Sequence, residues 1–203
     1  MLEGMLAIPP QAAGIVVFAH GSGSGRFSPR NRFVAGHLQE GGVATLLIDL
    51  LTEREAEDRR NVFDIGLLAD RVLMAGAWLN EDTRTTHLPL GYFGASTGAA
   101  AALQAAARGP LPVAAVVSRG GRPDLAERYL ADVSAPTLLL VGGYDEPVIE
   151  LNQAAFRMLR CPKDMRIIPG ATHLFEEPGT LEQVADHALH WFLEHFSGRG
   201  NDR

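Results

Sequence analysis

The stretch Leu88–Arg108, L-P-L-G-Y-F-G-A-S-T-G-A-A-A-A-L-Q-A-A-A-R, constrains this chain more than any other. A run suited to a buried strand passes into Gly94-Ala95-Ser96-Thr97-Gly98, and an alanine-rich helix follows with no connecting loop. A strand that turns this sharply into a helix brings side chains two positions either side of the serine into collision, so Gly94 and Gly98 are what the geometry needs. The turn lifts the Ser96 hydroxyl to the helix N-terminus, where unpaired N–H groups and the helix dipole favour developing negative charge. Gly-x-Ser-x-Gly also arises by chance at ordinary strand–helix turns; the flanking strand and helix are what give it weight here.

Strands and helices alternate along the rest of the chain. Apolar runs at Ile15–Ala19, Val43–Ile48, Val113–Val117 and Thr137–Val141 have the character of buried strands, Met165–Ile168 is expected to be the last strand, and Leu2–Ile8 is a weaker candidate. Ser28-Pro29 opens a helix that Gly41-Gly42 closes, Val62–Leu79 carries one apolar helical face, and a further helix is expected over 147–159. Thr52–Arg60 reads as a solvated charge run. Thr180 and Gln183 have capping-box spacing at the start of a last helix whose buried stripe is Leu181, Val184, Ala188 and Phe192. These elements predict an α/β fold, a mainly parallel sheet of about seven strands with helices on both faces and no lid domain. Residues 1–196 are expected to form one domain and 197–203 a flexible tail. Ligands of such sheets sit beyond the carboxyl ends of the strands.

A serine nucleophile needs a base, and the chain has seven histidines. His173, in Gly170-Ala171-Thr172-His173, follows the last strand at the ligand edge. His187, His190 and His195 fall on the last helix, where a His187/His190/Glu194 metal cluster is the alternative to simple solvation; no metal is expected. The acid that orients the imidazole should also sit at a strand end. Asp145, after Gly142-Gly143-Tyr144, is preferred to Asp124 because the glycines permit a sharp turn; Asp49 and Glu176 are weaker rivals. The oxyanion hole is assigned to the backbone N–H groups of Thr97 and of Ser22, the latter in His20-Gly21-Ser22. Arg119 and Arg26 lie at the ligand edge as candidates for a substrate carboxylate, unless they brace loops by pairing with acids such as Asp49 or Asp124.

These four motifs, the His20-Gly21 loop, Gly94–Gly98, Gly142–Asp145 and Gly170–His173, together resemble an α/β-hydrolase of the dienelactone-hydrolase-like group. They are most similar to hydrolase modules sometimes joined to phosphoribosyltransferase domains. The resemblance implies a Ser96-Asp145-His173 triad and carboxylic ester hydrolysis, with acidic lactones and esters among the substrates. Dienelactone hydrolases are known for a cysteine nucleophile, and Ser96 departs from that pattern.

The expected activity is therefore a carboxylesterase-like cleavage of small soluble esters, thioesters or lactones, with no cofactor. A non-catalytic small-molecule-binding module on the same fold is one alternative. A dinucleotide-binding protein is the other, suggested by Ile15–Ala19 and its glycine-rich loop, although Gly21-x-Gly23-x-Gly25 lacks the third glycine at its required place. A formal charge of -6 with no basic block argues against a nucleic-acid partner, and no apolar run reaches membrane-spanning length. The lone Cys161 excludes an internal disulfide, and the acid in the N-terminal stretch is unlike a signal peptide; a cytoplasmic setting is expected.

Overall fold

A computed structural model describes residues 2–197. Seven strands form one sheet in the order β1-β3-β2-β4-β5-β6-β7. They are β1 (Gly4–Ala7), β2 (Ile15–Ala19), β3 (Ala44–Ile48), β4 (Leu90–Ala95), β5 (Val113–Arg119), β6 (Thr137–Gly142) and β7 (Lys163–Ile168). Only β1 runs antiparallel to its neighbour, β3; every other pairing is parallel. This is the mainly parallel sheet that the alternation of buried runs and amphipathic segments predicts, in the form the resemblance to α/β-hydrolases implies.

Strand side chains alternate between two cores, as the period-2 pleat requires. Ile15, Val17, Leu46, Tyr92 and Val116 face one layer, built from α4 (Ile65–Glu81), α5 (Thr97–Arg108), α6 (Glu146–Met158) and a 3₁₀ segment (Pro123–Asp132). Val16, Phe18, Leu47, Phe93 and Val117 face the other, built from α1 (Pro29–Glu40) and α7 (Thr180–Ser197). Burial on both sides explains why the central strands read as unbroken apolar runs. The alanines of α5 let it sit close over β4: Ala99, Ala100, Ala101 and Ala102 are fully buried.

One local reading gains structure and two are corrected. The charged stretch after Thr52 is helical, as α2 (Glu53–Ala56) and α3 (Arg59–Val62); Thr52 and Glu55 form a reciprocal capping box, and Glu55 also pairs with Arg71 at 2.7 Å. The next helix starts later than its apolar stripe suggested, because the Asp64 side chain caps it through the Leu67 N–H at 3.0 Å. At Thr180 the capping box does not form. That residue is already helical, and its hydroxyl donates to the Glu177 carbonyl at 2.7 Å. Ser28 does cap α1, accepting from the Asn31 N–H. Of the expected tail 197–203, Ser197 is the last residue of α7 and 198–203 lie outside the described residues.

Candidate active site

Ser96 joins β4 to α5 with φ 50° and ψ −120°, a conformation that costs a non-glycine residue about 1–3 kcal/mol. The surrounding packing enforces it. A Cβ at Gly94 would stand 2.4 Å from the Ala99 Cα, and one at Gly98 would stand 2.2 Å from the Ala19 carbonyl oxygen. Gly98 thus lets the start of α5 approach the end of β2, which brings the 20–24 loop beside the serine. A Cβ at Gly21 would lie 3.0 Å from the Ser96 Cβ. The backbone of Ser96 is itself tied down, its N–H donating to Arg119 and its carbonyl accepting from Ala99 and Arg122.

The preferred base and acid meet. His173 Nδ1 lies 2.6 Å from Asp145 Oδ2, with the aspartate side chain largely buried and the imidazole partly open. The sharp turn after β6 forms, the Asp145 N–H donating to the Gly142 carbonyl at 3.1 Å, and what glycine contributes there is space. Gly142 and Gly143 have no positive φ; instead a Cβ at Gly142 would strike the Ala171 and Thr172 carbonyl oxygens at 2.5 and 2.6 Å. The missing side chain admits the segment that carries His173. Register then brings the ring to the neighbouring strand end: Ala95 pairs with Arg119, so Gly120 follows on the strand next to Ser96, and a Cβ there would be 3.6 Å from His173 Cε1. Gly120 has φ 50° as well, so a side chain at this position is disfavoured by backbone and by space.

The N–H groups of Ser22 and Thr97 make no hydrogen bond within the described residues, and both residues line one cavity of about 320 Å³. His20 shapes the loop that holds Ser22. Its Nε2 accepts the Leu50 N–H at 2.9 Å, so the ring proton resides on Nδ1, which donates to the Gly21 carbonyl at 2.9 Å. Burial pushes this imidazole below its ordinary pKa, against smaller opposing effects of the Gly21 bond and Asp49. The sequence places His20 at a strand end, in the loop expected to supply the Ser22 N–H, but its bond to Leu50, 30 positions away, has no local signal.

The arginines divide. Arg26 donates from its guanidinium to Asp49 and Glu3, and Arg122 pairs with Asp124 at 2.7 Å, which occupies the rival acid. Arg119 is buried with no hydrogen-bond partner at Nη1. Burial, and then the charge of Arg30, push its pKa down to about 10, so it remains cationic at neutral pH. Arg30 in turn pairs with Glu176 at 3.1 Å, two residues beyond Leu174. On α7, His190 bonds back to the Asp186 carbonyl, and no group of three metal-ligating side chains occurs among the described residues. Cys161 is buried between α6 and β7. No helix among the described residues is long and apolar enough to cross a membrane.

A strained serine at the switch from a central parallel strand to a helix is the mark of the α/β-hydrolases, and solved structures agree. A dienelactone hydrolase from Anabaena variabilis is 59% identical with a TM-score of 0.93, over 96% of this chain and 92% of that one. Est1E from Butyrivibrio proteoclasticus, 18% identical, shares the fold with a TM-score of 0.82 over 97% and 95%. The chain belongs to the dienelactone hydrolase family, whose model matches residues 2–197. It is also 58% identical over 199 residues to Mycobacterium tuberculosis proteins named as phosphoribosyl transferases; the match takes 98% of this chain and 45% of theirs, so the chain spans about half the length of these relatives.

Proposed function

We propose that this hydrolase works through an acyl-enzyme on Ser96 and cleaves small esters, thioesters or lactones. The observation that carries the reading is the strained Ser96 elbow with the His173–Asp145 pair at 2.6 Å beside it. His173 takes the Ser96 proton as Oγ attacks the carbonyl carbon; Asp145 holds the ring by its Nδ1–H and stabilises the imidazolium. The oxyanion accepts from the free N–H groups of Ser22 and Thr97. His173 then protonates the leaving oxygen or sulfur, and water, deprotonated by the same imidazole, releases the acid and restores the serine. The name of the Anabaena relative supports lactones among the substrates. The phosphoribosyl transferase name is not carried over, because the matched region of those longer proteins is the part resembling this hydrolase.

Arg119 is proposed to hold a carboxylate on the substrate, supported by its buried, unpartnered Nη1. Arg26, the other candidate, is satisfied by Asp49 and Glu3 and is better regarded as a brace for the loop. The lone, buried thiol of Cys161 supports a reducing, cytoplasmic setting.

A fluorophosphonate tests the central step. One label per chain, located at Ser96 and abolished in Ser96→Ala, is the expected result. Folded protein that takes no label, or takes it elsewhere, would overturn the assignment and favour a binding module.

A further inference from the structure

The cavity beside the oxyanion donors has one polar side, the Gly21–Ser24 loop with Thr97, and one apolar side made by Leu50, Leu51, Ala56, Val62 and Leu68. No charged side chain lines it. Its one ionisable wall, His20, is held neutral by the Leu50 N–H, which can only donate and therefore needs a bare nitrogen. At about 320 Å³ it is at the small end of ligand pockets, which run to roughly 1,000 Å³.

The sheet order decides which half of an ester this cavity takes. It opens on the β2–β3 side of Ser96, where Leu50 follows β3. His173 comes from the opposite side, from beyond the end of β7 to within 3.6 Å of a Cβ placed at Gly120, next to the end of β4. The imidazole must touch the leaving oxygen to protonate it, so the alcohol part lies on the β5–β7 side and the other substituent of the carbonyl points into the cavity. We infer that this cavity is the acyl pocket, fitted to a short, neutral, apolar acyl group, and that Ala56 and Val62 set the chain length it accepts. The inference rests on the Ser96 acyl-enzyme.

Ala56 and Val62 stand on α2 and α3, which cover the cavity from outside the main core. This cover is held in place by three connections: the Thr52–Glu55 capping box, the Glu55–Arg71 ion pair, and a hydrogen bond from Asn61 Nδ2 to the Glu55 carbonyl at 2.9 Å. Side chains at 56 and 62 can therefore change size without altering a strand or the elbow.

The test uses esters of one phenol with acetyl, butyryl, hexanoyl and octanoyl groups, and a matched series in which the alcohol lengthens instead. Burial of each methylene is worth about fourfold in kcat/KM until the cavity is full. Val62→Trp and Ala56→Phe should each lower the hexanoyl-to-acetyl ratio of kcat/KM at least tenfold, and Val62→Ala should move the optimum to a longer acyl chain. All three should still take the fluorophosphonate at Ser96 and unfold near the wild-type temperature. Ratios unchanged in both bulky variants, with labelling intact, would overturn the pocket assignment alone. So would a shift confined to the alcohol series. Wild-type protein that fails to label would overturn the Ser96 mechanism and the pocket with it.

Discussion

His20 and Leu50 are joined by a hydrogen bond whose direction is fixed: the Leu50 N–H donates to His20 Nε2 at 2.9 Å. A protonated ring has no lone pair to offer at that nitrogen, so charging His20 breaks the link between the 20–24 loop and the end of β3. Burial holds the native pKa below the ordinary value of 6.5. As pH falls from about 6.5, the unfolded chain binds a proton that the native chain refuses, and stability is lost until the native pKa is passed; above that range there is no such loss. His20→Gln lacks this component. The melting-temperature gap between wild type and His20→Gln should be widest above neutral pH and shrink in acid, as followed by thermal scans at several pH values. A constant or widening gap would show that His20 does not titrate in this way.

Asp145→Asn should reduce kcat by about 10⁴-fold, because the amide no longer stabilises the imidazolium and can hold the wrong tautomer. Asp124→Asn should change kcat little, since its partner is Arg122 at 2.7 Å and not a histidine. Steady-state rates on one activated ester decide the matter; the reverse ranking would transfer the acid's role to Asp124.

Arg119→Ala should raise KM for esters bearing a carboxylate much more than for neutral esters of equal size. A lost charged hydrogen bond is worth roughly 1.5–3 kcal/mol, on the order of ten- to a hundredfold. Because the residue is buried, a stability control is needed: equal losses on both ester types, accompanied by a large drop in melting temperature, would identify Arg119 as structural.

Two glycine-to-alanine changes on helices should act in opposite directions. At Gly98 the added Cβ meets the Ala19 and His20 carbonyl oxygens at 2.2 and 2.4 Å, so Gly98→Ala should destabilise by about 1–3 kcal/mol and displace the 20–24 loop. At Gly36, inside α1, the added Cβ meets nothing within 4 Å, and Gly36→Ala should stabilise by about 0.5–1 kcal/mol through helix propensity. Denaturant titration measures both.

Much of this architecture is legible in the sequence because two-sided burial leaves unbroken apolar runs, and because the candidate site residues at strand ends follow the strands directly. Ile15–Ala19 and its loop, the elbow and the turn bearing Asp145 are of this kind, whereas the turn bearing His173 follows the edge strand β7, most of which is part-exposed. Short-range spacing proved less informative. Thr52–Glu55 and Thr180–Gln183 present the same capping pattern, yet only the first forms the box, because the Thr180 hydroxyl is taken by Glu177 and the chain is already helical there. Helices α2 and α3 are too short to show a periodic stripe. Which arginine is free depends on partners distant in sequence, Glu3 and Asp49 for Arg26, and no local pattern announces them.

The parallel register has a consequence for how the protein acquires its reactivity. Ser96 gains its setting from segments near positions 21, 98, 120 and 173, and the β2–β4 pairing alone joins residues 75 positions apart, Ile15 with Leu90. Contacts this remote along the chain form slowly, because loop closure must precede the energy they return. No autonomous fragment contains the complete setting. During refolding, phosphonate reactivity should therefore return after helical circular dichroism, which makes the serine a reporter of finished assembly.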